Sequence, residues 1–242
     1  MKDNLASSLY EAIKLDYQPR VFEHWHASSI ADCPRAHYFK RLGITPTSIP
    51  GAGKMLRWKA GHLMEEAIRP YLEAVIPDIQ SNVRLISKKL DLTGEYDNYS
   101  PENKTIYEIK SVHDFAFIYR KKDDPRFHLR DQQPYLNHQY QNHCYVLLLN
   151  ESGEEVEFIT YIYITLDGRI ATYKTEVNKA LAGHVRKRLA LLTRAWKAQT
   201  PPDCLCNNKD HPLYKSTMQY CDYRGEECCD IKLIERNNNG RD

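Results

Sequence analysis

Residues 92–112, LTGEYDNYSPENKTIYEIKSV, read as two β-strands joined by a polar turn, with acids placed where the strands meet. Side chains alternate faces along a strand, so Glu108 and Lys110 point one way and Tyr107 and Ile109 the other. A carboxylate and an ammonium two residues apart on one face, with Asp97 on the neighbouring strand, form a compact polar cluster. Oxygen donors in such a cluster suit a divalent cation with a lysine held beside it. E-x-K is common on strands, so this stretch alone also fits an ordinary ion pair on a solvated face. The rest of the chain decides between the two.

Outward from that stretch, several segments carry polar groups toward the same place. Upstream, Met55 to Val75 has apolar residues at Leu56, Ala60, Leu63, Ala67, Tyr71 and Val75, the three-and-four spacing of an amphipathic helix whose stripe is expected to face the core. Gly61 and Glu65 lie one turn apart on this helix, with His62 adjacent, so an acid or a histidine can be delivered over the sheet. Downstream, Pro134 opens a helix on which His138, Gln141, Tyr145 and Leu148 share a face. Buried amides and phenols need partners, so that face either carries an interior hydrogen-bond network or lines the site. Between these parts, residues 115–133 read as a loop with five basic side chains among aromatics, suited to stacking bases and pairing with phosphates or simply to solvation.

The remainder is scaffold. Residues 4–16 form a short amphipathic helix through Leu5, Leu9 and Ile13. A second helix is expected in SSIADCPRAHYFKRLG, capped by Ser28 or Ser29 and ended by Gly43, with Pro34 placing Cys33 at a helix N-terminus. Val156 to Thr165 alternates through Val156, Phe158, Thr160, Ile162 and Ile164, turns at Asp167-Gly168, and returns as Arg169 to Val177. A long helix follows with Leu181, Val185, Leu189, Leu192 and Trp196 inward and His184, Arg186, Lys187, Arg188 and Arg194 outward. The order predicts an α/β domain with a mixed sheet and a cysteine-rich appendage: 1–200 as one domain, 201–236 as a tail packed with Cys33, and 237–242 disordered.

In 242 residues the net charge is only +2, so DNA is expected in a local groove rather than on a basic surface. No apolar run is long enough to span a bilayer or resembles a signal peptide, which predicts a cytoplasmic protein, in a host cytoplasm if phage-encoded. Of seven cysteines, Cys144 sits in an apolar helix and reads as core. Cys33, Cys204, Cys206, Cys221, Cys228 and Cys229 remain. A tail spaced C-x-C-x(14)-C-x(6)-C-C, poor in apolar residues, calls for a metal staple. Zinc and an iron–sulfur cluster both accept such ligands; the remote Cys33 favours a 4Fe-4S cluster. The preferred set is Cys33, Cys206, Cys221 and Cys228, with Cys204 and Cys229 as alternates.

In order along the chain stand CPR with a following aromatic (Cys33, Tyr38), GHLME (Gly61, Glu65), GEYD (Gly94, Asp97), EIK (Glu108, Lys110), QNHCY (Gln141, Tyr145) and the closing cysteines. Together they resemble the PD-(D/E)XK nuclease superfamily, in the RecB-like branch of iron–sulfur exonucleases that includes CRISPR-associated exonucleases and phage-borne counterparts. The resemblance runs from Ser29 to Cys229. Two departures stand out: a longer gap between Cys206 and Cys221, and a choice of Glu65 or His62 as the helix ligand, with the spacing favouring Glu65. It implies a restriction-endonuclease-like mixed sheet flanked by helices and hydrolysis of DNA with Mg²⁺ or Mn²⁺. Metal ligands would be Asp97, Glu108, the carbonyl of Ile109 and Glu65; Lys110 would assist the water, and Gln141 and Tyr145 would position substrate or lysine. It further implies action on single-stranded ends, 5′ to 3′, in phage DNA degradation, recombination or spacer acquisition with partner proteins of those pathways. The rival readings are a non-catalytic DNA clamp or adaptor and a spacer-processing endonuclease.

Overall fold

The computed structural model describes residues 5–18, 21–46, 49–113, 116–119, 127–129, 133–205, 208–214, 221 and 223. In chain order the elements are α1 (Leu5–Leu15), β1 (Trp25–His26), a 3-10 turn (Ala27–Ser29), α2 (Pro34–Leu42), α3 (Ala52–Val75), β2 (Gln80–Ser87), β3 (Leu92–Ser100) and β4 (Thr105–Ser111). They continue with β5 (Phe117–Tyr119), β6 (Phe127–Leu129), α4 (Leu136–Glu151), β7 (Phe158–Ile164), β8 (Ile170–Glu176) and α5 (Lys179–Lys197). Among the described residues, six strands form one mixed sheet in the order β1-β3-β4-β7-β8, with β2 paired to the other edge of β3. The β4–β7 pair is parallel, whereas β2–β3, β3–β4 and β7–β8 are antiparallel. This is the helix-flanked mixed sheet expected from the element order. Among the described residues no helix is long and apolar enough to cross a membrane.

One break in the sheet matters most. β3 and β4 are paired only at Asn98–Tyr107, Tyr99–Ile106 and Ser100–Thr105. Beyond them the strands part, and the start of β3 pairs instead with β1 through Leu92 and Thr93. Residues 94–97 therefore border a fork, on the opposite edge from β2.

Helices close both faces. α4 lies in the main core, with Cys144, Tyr145, Val146, Leu147, Leu148 and Leu149 all buried, so Cys144 is indeed a core residue. α3 covers the other face, where Met64, Ile68 and Leu72 pack on Ile109, Ile162 and Ile164. This corrects the stripe expected for α3. Leu56, Leu63, Tyr71 and Val75 are 46%, 65%, 71% and 73% exposed. The helix is rotated because Gly61 is the residue that lets it approach β4: a Cβ there would stand 2.9 Å from Ser111 Oγ.

Three other expectations change. α2 begins at Pro34 and is not capped by Ser28 or Ser29, because the residue before a proline is driven out of the helical region; Cys33 has φ −54° and ψ 129°. Gly43 does end α2 in the left-handed conformation, φ 70°. Arg188 is buried rather than outward, and its guanidinium donates to the Asp32 carbonyl. The stretch read as a basic loop contains the paired strands β5 and β6; its basic residues Arg120, Lys121, Lys122, Arg126 and Arg130 lie outside the described residues, as does 237–242.

Candidate active site

The fork between β3 and β4 gathers the acids. With main-chain pairing lost, the Ile109 N–H is taken by the Asp97 side chain, Oδ2 accepting at 2.9 Å. Asp97 thus holds the strands at a fixed opening. On the next residues of β4, alternation turns Glu108 and Lys110 to the α4 side and Ile109 to the α3 side. Lys110 Nζ lies 2.5 Å from Glu108 Oε1 and 3.9 Å from Asp97 Oδ2.

Glu65 arrives from α3. Gly61, one turn earlier, brings the helix against Ser111 at the end of β4. His62 is turned outward, 68% exposed, whereas the Glu65 side chain is 22% exposed; the His62 ring stands 3.4 Å from Glu65 Oε2. Glu65, not His62, is directed at the fork.

α4 supplies the polar wall. Gln141 Nε2 donates to the Tyr145 hydroxyl at 2.6 Å. Tyr145 is buried against β3, and Gly94 is what admits it: a Cβ there would lie 2.7 Å from the Tyr145 ring and 2.8 Å from Ala27 Cβ. The Gly94 of GEYD is therefore a clearance residue. His138, on the same helix, lies 3.1 Å from the Tyr163 hydroxyl, which also accepts from the Tyr135 N–H at 3.1 Å.

Two residues at the site were not singled out from sequence. Tyr161 and Tyr163 on β7 pair in register with Glu108 and Lys110. The alternating β7 pattern was read for its aliphatic face, Ile162 and Ile164; its tyrosine face is the one beside the acids. Neighbouring parallel strands align residue by residue, so the register was the missing signal.

The charges interact strongly. Burial pushes Glu108 up to about 8, with the Asp97 carboxylate adding to the rise and Lys110 opposing it. Burial and Asp97 also raise Glu65. Lys110 is held well above its ordinary range: burial works against its charge, but Glu108 and Asp97 outweigh it. Burial and the Glu108 charge raise Tyr145 and Tyr161, and burial with the Lys110 charge lowers His138 to about 3.

The donor set fits a hard cation in kind. Among the described residues, both oxygens of Glu108, a residue with 0% exposure, lack a hydrogen-bond donor other than the Lys110 ammonium, an arrangement costly for an isolated carboxylate. Among the described residues no three carboxylate, histidine or cysteine side chains already stand at cation-binding spacing. The Lys110 ammonium lies between Glu108 and Asp97.

The cysteines are separate. Cys33 Sγ lies 3.7 Å from Cys204 Sγ and accepts from the Leu205 N–H at 3.3 Å. The thiol of Cys33 is raised by its contact with Cys204 and by burial. Cys204, an alternate in the sequence reading, is thus beside Cys33. Cys221 packs, half-buried, against the main core; Cys206, Cys228 and Cys229 lie outside the described residues. Arg35 Nε donates to the Pro202 carbonyl at 2.8 Å and Tyr223 OH to the Ile44 carbonyl at 2.9 Å, so described parts of the tail rest on the α2 region.

No family model matches the chain, and no curated protein does. Its fold is similar to that in the crystal structure of SSO0001, with a TM-score of 0.50 and 16% identity over 92% of this chain and 96% of that one. An alkaline exonuclease from Laribacter hongkongensis aligns less closely, with a TM-score of 0.48 and 10% identity over 78% of this chain and 93% of that one. A phage related exonuclease from Haemophilus somnus 129PT has a TM-score of 0.43 and 14% identity, covering 77% and 97%. At these identities the likeness to SSO0001 is one of fold.

Proposed function

We propose that the protein is a metal-dependent deoxyribonuclease of the PD-(D/E)XK kind, an exonuclease acting on single-stranded DNA ends with 5′ to 3′ polarity. The observation that carries the chemistry is the buried Glu108 carboxylate, paired only with Lys110 at the fork where Asp97 and Glu65 converge. Charges are rarely retained in a core without a task, and a cluster of mutually shifted groups in one place suits catalysis. Polarity, end preference and a role in phage DNA processing or recombination rest on the motif resemblance.

Asp97, Glu108, the Ile109 carbonyl and Glu65 would hold Mg²⁺ or Mn²⁺. The ion would neutralise charge on the scissile phosphate and make a bound water more acidic. The chain's own groups do the rest. Asp97 keeps the strands apart through the Ile109 N–H, fixing where the carbonyl and Glu108 sit. Lys110, held protonated by Glu108 and Asp97, would orient the attacking water through a hydrogen bond or stabilise the phosphate oxygens as they gain charge. Tyr145, hydrogen-bonded to Gln141, would position the substrate or Lys110. Tyr161 and Tyr163 close the floor and exclude bulk water, which strengthens each of these interactions.

For the cysteines we propose a structural 4Fe-4S cluster, with Cys33 and Cys204 as two ligands because they lie side by side, and the remaining ligands drawn from Cys206, Cys221, Cys228 and Cys229. Two buried sulfurs, one receiving a main-chain N–H, suit thiolate ligation. Anaerobic purification should yield a brown protein; a colourless one with stoichiometric zinc would replace the cluster by a zinc site. The nuclease reading is tested by incubating end-labelled single- and double-stranded DNA with Mn²⁺ and with EDTA. Metal-dependent release of nucleotides from single-stranded ends is expected, and binding without cleavage would reduce the protein to a clamp.

A further inference from the structure

We infer that Trp58 is a base-stacking platform for a single DNA strand, leading that strand along the first turns of α3 to Glu65; this rests on the nuclease reading above. Seven residues separate Trp58 from Glu65, so the two fall within about 20° of each other around the helix. They stand about 10 Å apart along its axis. Two residues lie between them on this side: Gly61, which has no side chain, and His62, whose exposed ring stands 3.4 Å from Glu65 Oε2. Gly61 meets Ser111, the last residue of β4, while Met64, Ile68 and Leu72 pack further back on the sheet. The turns before Gly61 therefore extend past the strand's end, and Trp58 stands at the approach to the fork.

Its environment suits a nucleic-acid strand. Trp58 is 46% exposed, whereas Trp25 is fully buried and Trp196 packs beside it in the core. The Lys54 ammonium lies 5.1 Å from the Trp58 ring centroid, within reach of the phosphate of a base stacked there. From Gly51 to Met64 the chain carries Lys54, Arg57 and Lys59 and no acid. Lys59 is paired with Asp16 of the α1 region at 2.6 Å. An exposed indole among cations, in line with a carboxylate site, matches a strand that stacks through its bases and is neutralised along its backbone. Leu56 and Leu63 are also exposed on this helix, so a second copy of the chain is the competing occupant.

The test is binding in EDTA, where no cleavage intervenes. A short oligothymidylate should quench tryptophan fluorescence of the full chain, and Trp58→Phe should remove that quenching while binding the labelled oligonucleotide nearly as well. Trp58→Ala should weaken single-strand binding about tenfold, the scale of one lost stacked base, with a smaller effect on duplex. Unchanged affinity in Trp58→Ala, or quenching that persists in Trp58→Phe, overturns the assignment. So does sedimentation showing a wild-type dimer that Trp58→Ala dissociates without change in DNA affinity. Trp58-dependent binding by a protein that never cleaves DNA would uphold the platform and remove the nuclease reading.

Discussion

The two faces of β4 make opposite use of the same interior. On the α3 side, Ile109 joins Ile162, Ile164, Met64, Ile68 and Leu72 in an apolar layer whose contribution scales with the area it removes from water. On the α4 side, Glu108 is fully buried and Lys110 is 20% exposed, beside Tyr145, Tyr161 and Tyr163. One strand therefore holds stability on one face and charge on the other, a residue apart. An ion pair in this setting offsets much of its Coulomb gain by lost hydration, so the polar face is not explained by stability. The cation site proposed above would give it a purpose.

If that division holds, substitutions on the two faces separate cleanly. Lys110→Ala should lower the rate of metal-dependent DNA cleavage by at least about a hundredfold, with an unchanged circular dichroism spectrum; cleavage at the wild-type rate would dissolve the distinction between the faces. Ile162→Ala, across the sheet, should cost about 2–5 kcal/mol of unfolding free energy in denaturant titration, with turnover near wild type below the transition. Gly94→Ala should affect both properties, since its methyl must displace the Tyr145 ring or Ala27. A stability loss of about 1–3 kcal/mol and a slower enzyme are expected together, and a loss of stability alone would mean that Tyr145 has no part in the reaction.

The most gradual effect is the pH slope. Burial and the Asp97 carboxylate push Glu108 up toward about 8 in the folded chain, against an ordinary value of 4.5, while Lys110 opposes the rise. Between those values the folded state binds more protons than the unfolded one, so metal-free stability falls as pH rises, by at most about 1.4 kcal/mol per pH unit. Glu108→Gln should flatten that slope, and thermal unfolding in EDTA across the window measures it. Mn²⁺ should oppose the decline, because the ion takes the ionised carboxylate.

The legible parts were those set by local geometry. Strand alternation placed Glu108 and Lys110 on one face, Pro34 and Gly43 bounded α2, and helical spacing joined Gln141 to Tyr145. Less legible was anything depending on which of two plausible surfaces an element turns inward. α3 carries apolar residues on two sides, and its inward side was chosen by Gly61 meeting Ser111, a contact between segments fifty residues apart. Arg188 was read outward because its partner, the Asp32 carbonyl, lies far away in sequence.

Sequence alone thus determined the chemistry on offer: two strand carboxylates, a lysine, a helix acid, and thiols at either end of the chain. Tertiary structure decided how these are used. It opened the β3–β4 fork, drew the Asp97 side chain onto a main-chain N–H, and set Tyr161 and Tyr163 beside Glu108 and Lys110 through the β4–β7 register. It also placed Cys204 against Cys33 and left Trp58 in the open. The physical reason is that residue type and period fix what a side chain can do and which face it shares. Burial, and with it the shift of Glu108 and the pairing of its charge, is a property of what packs around it.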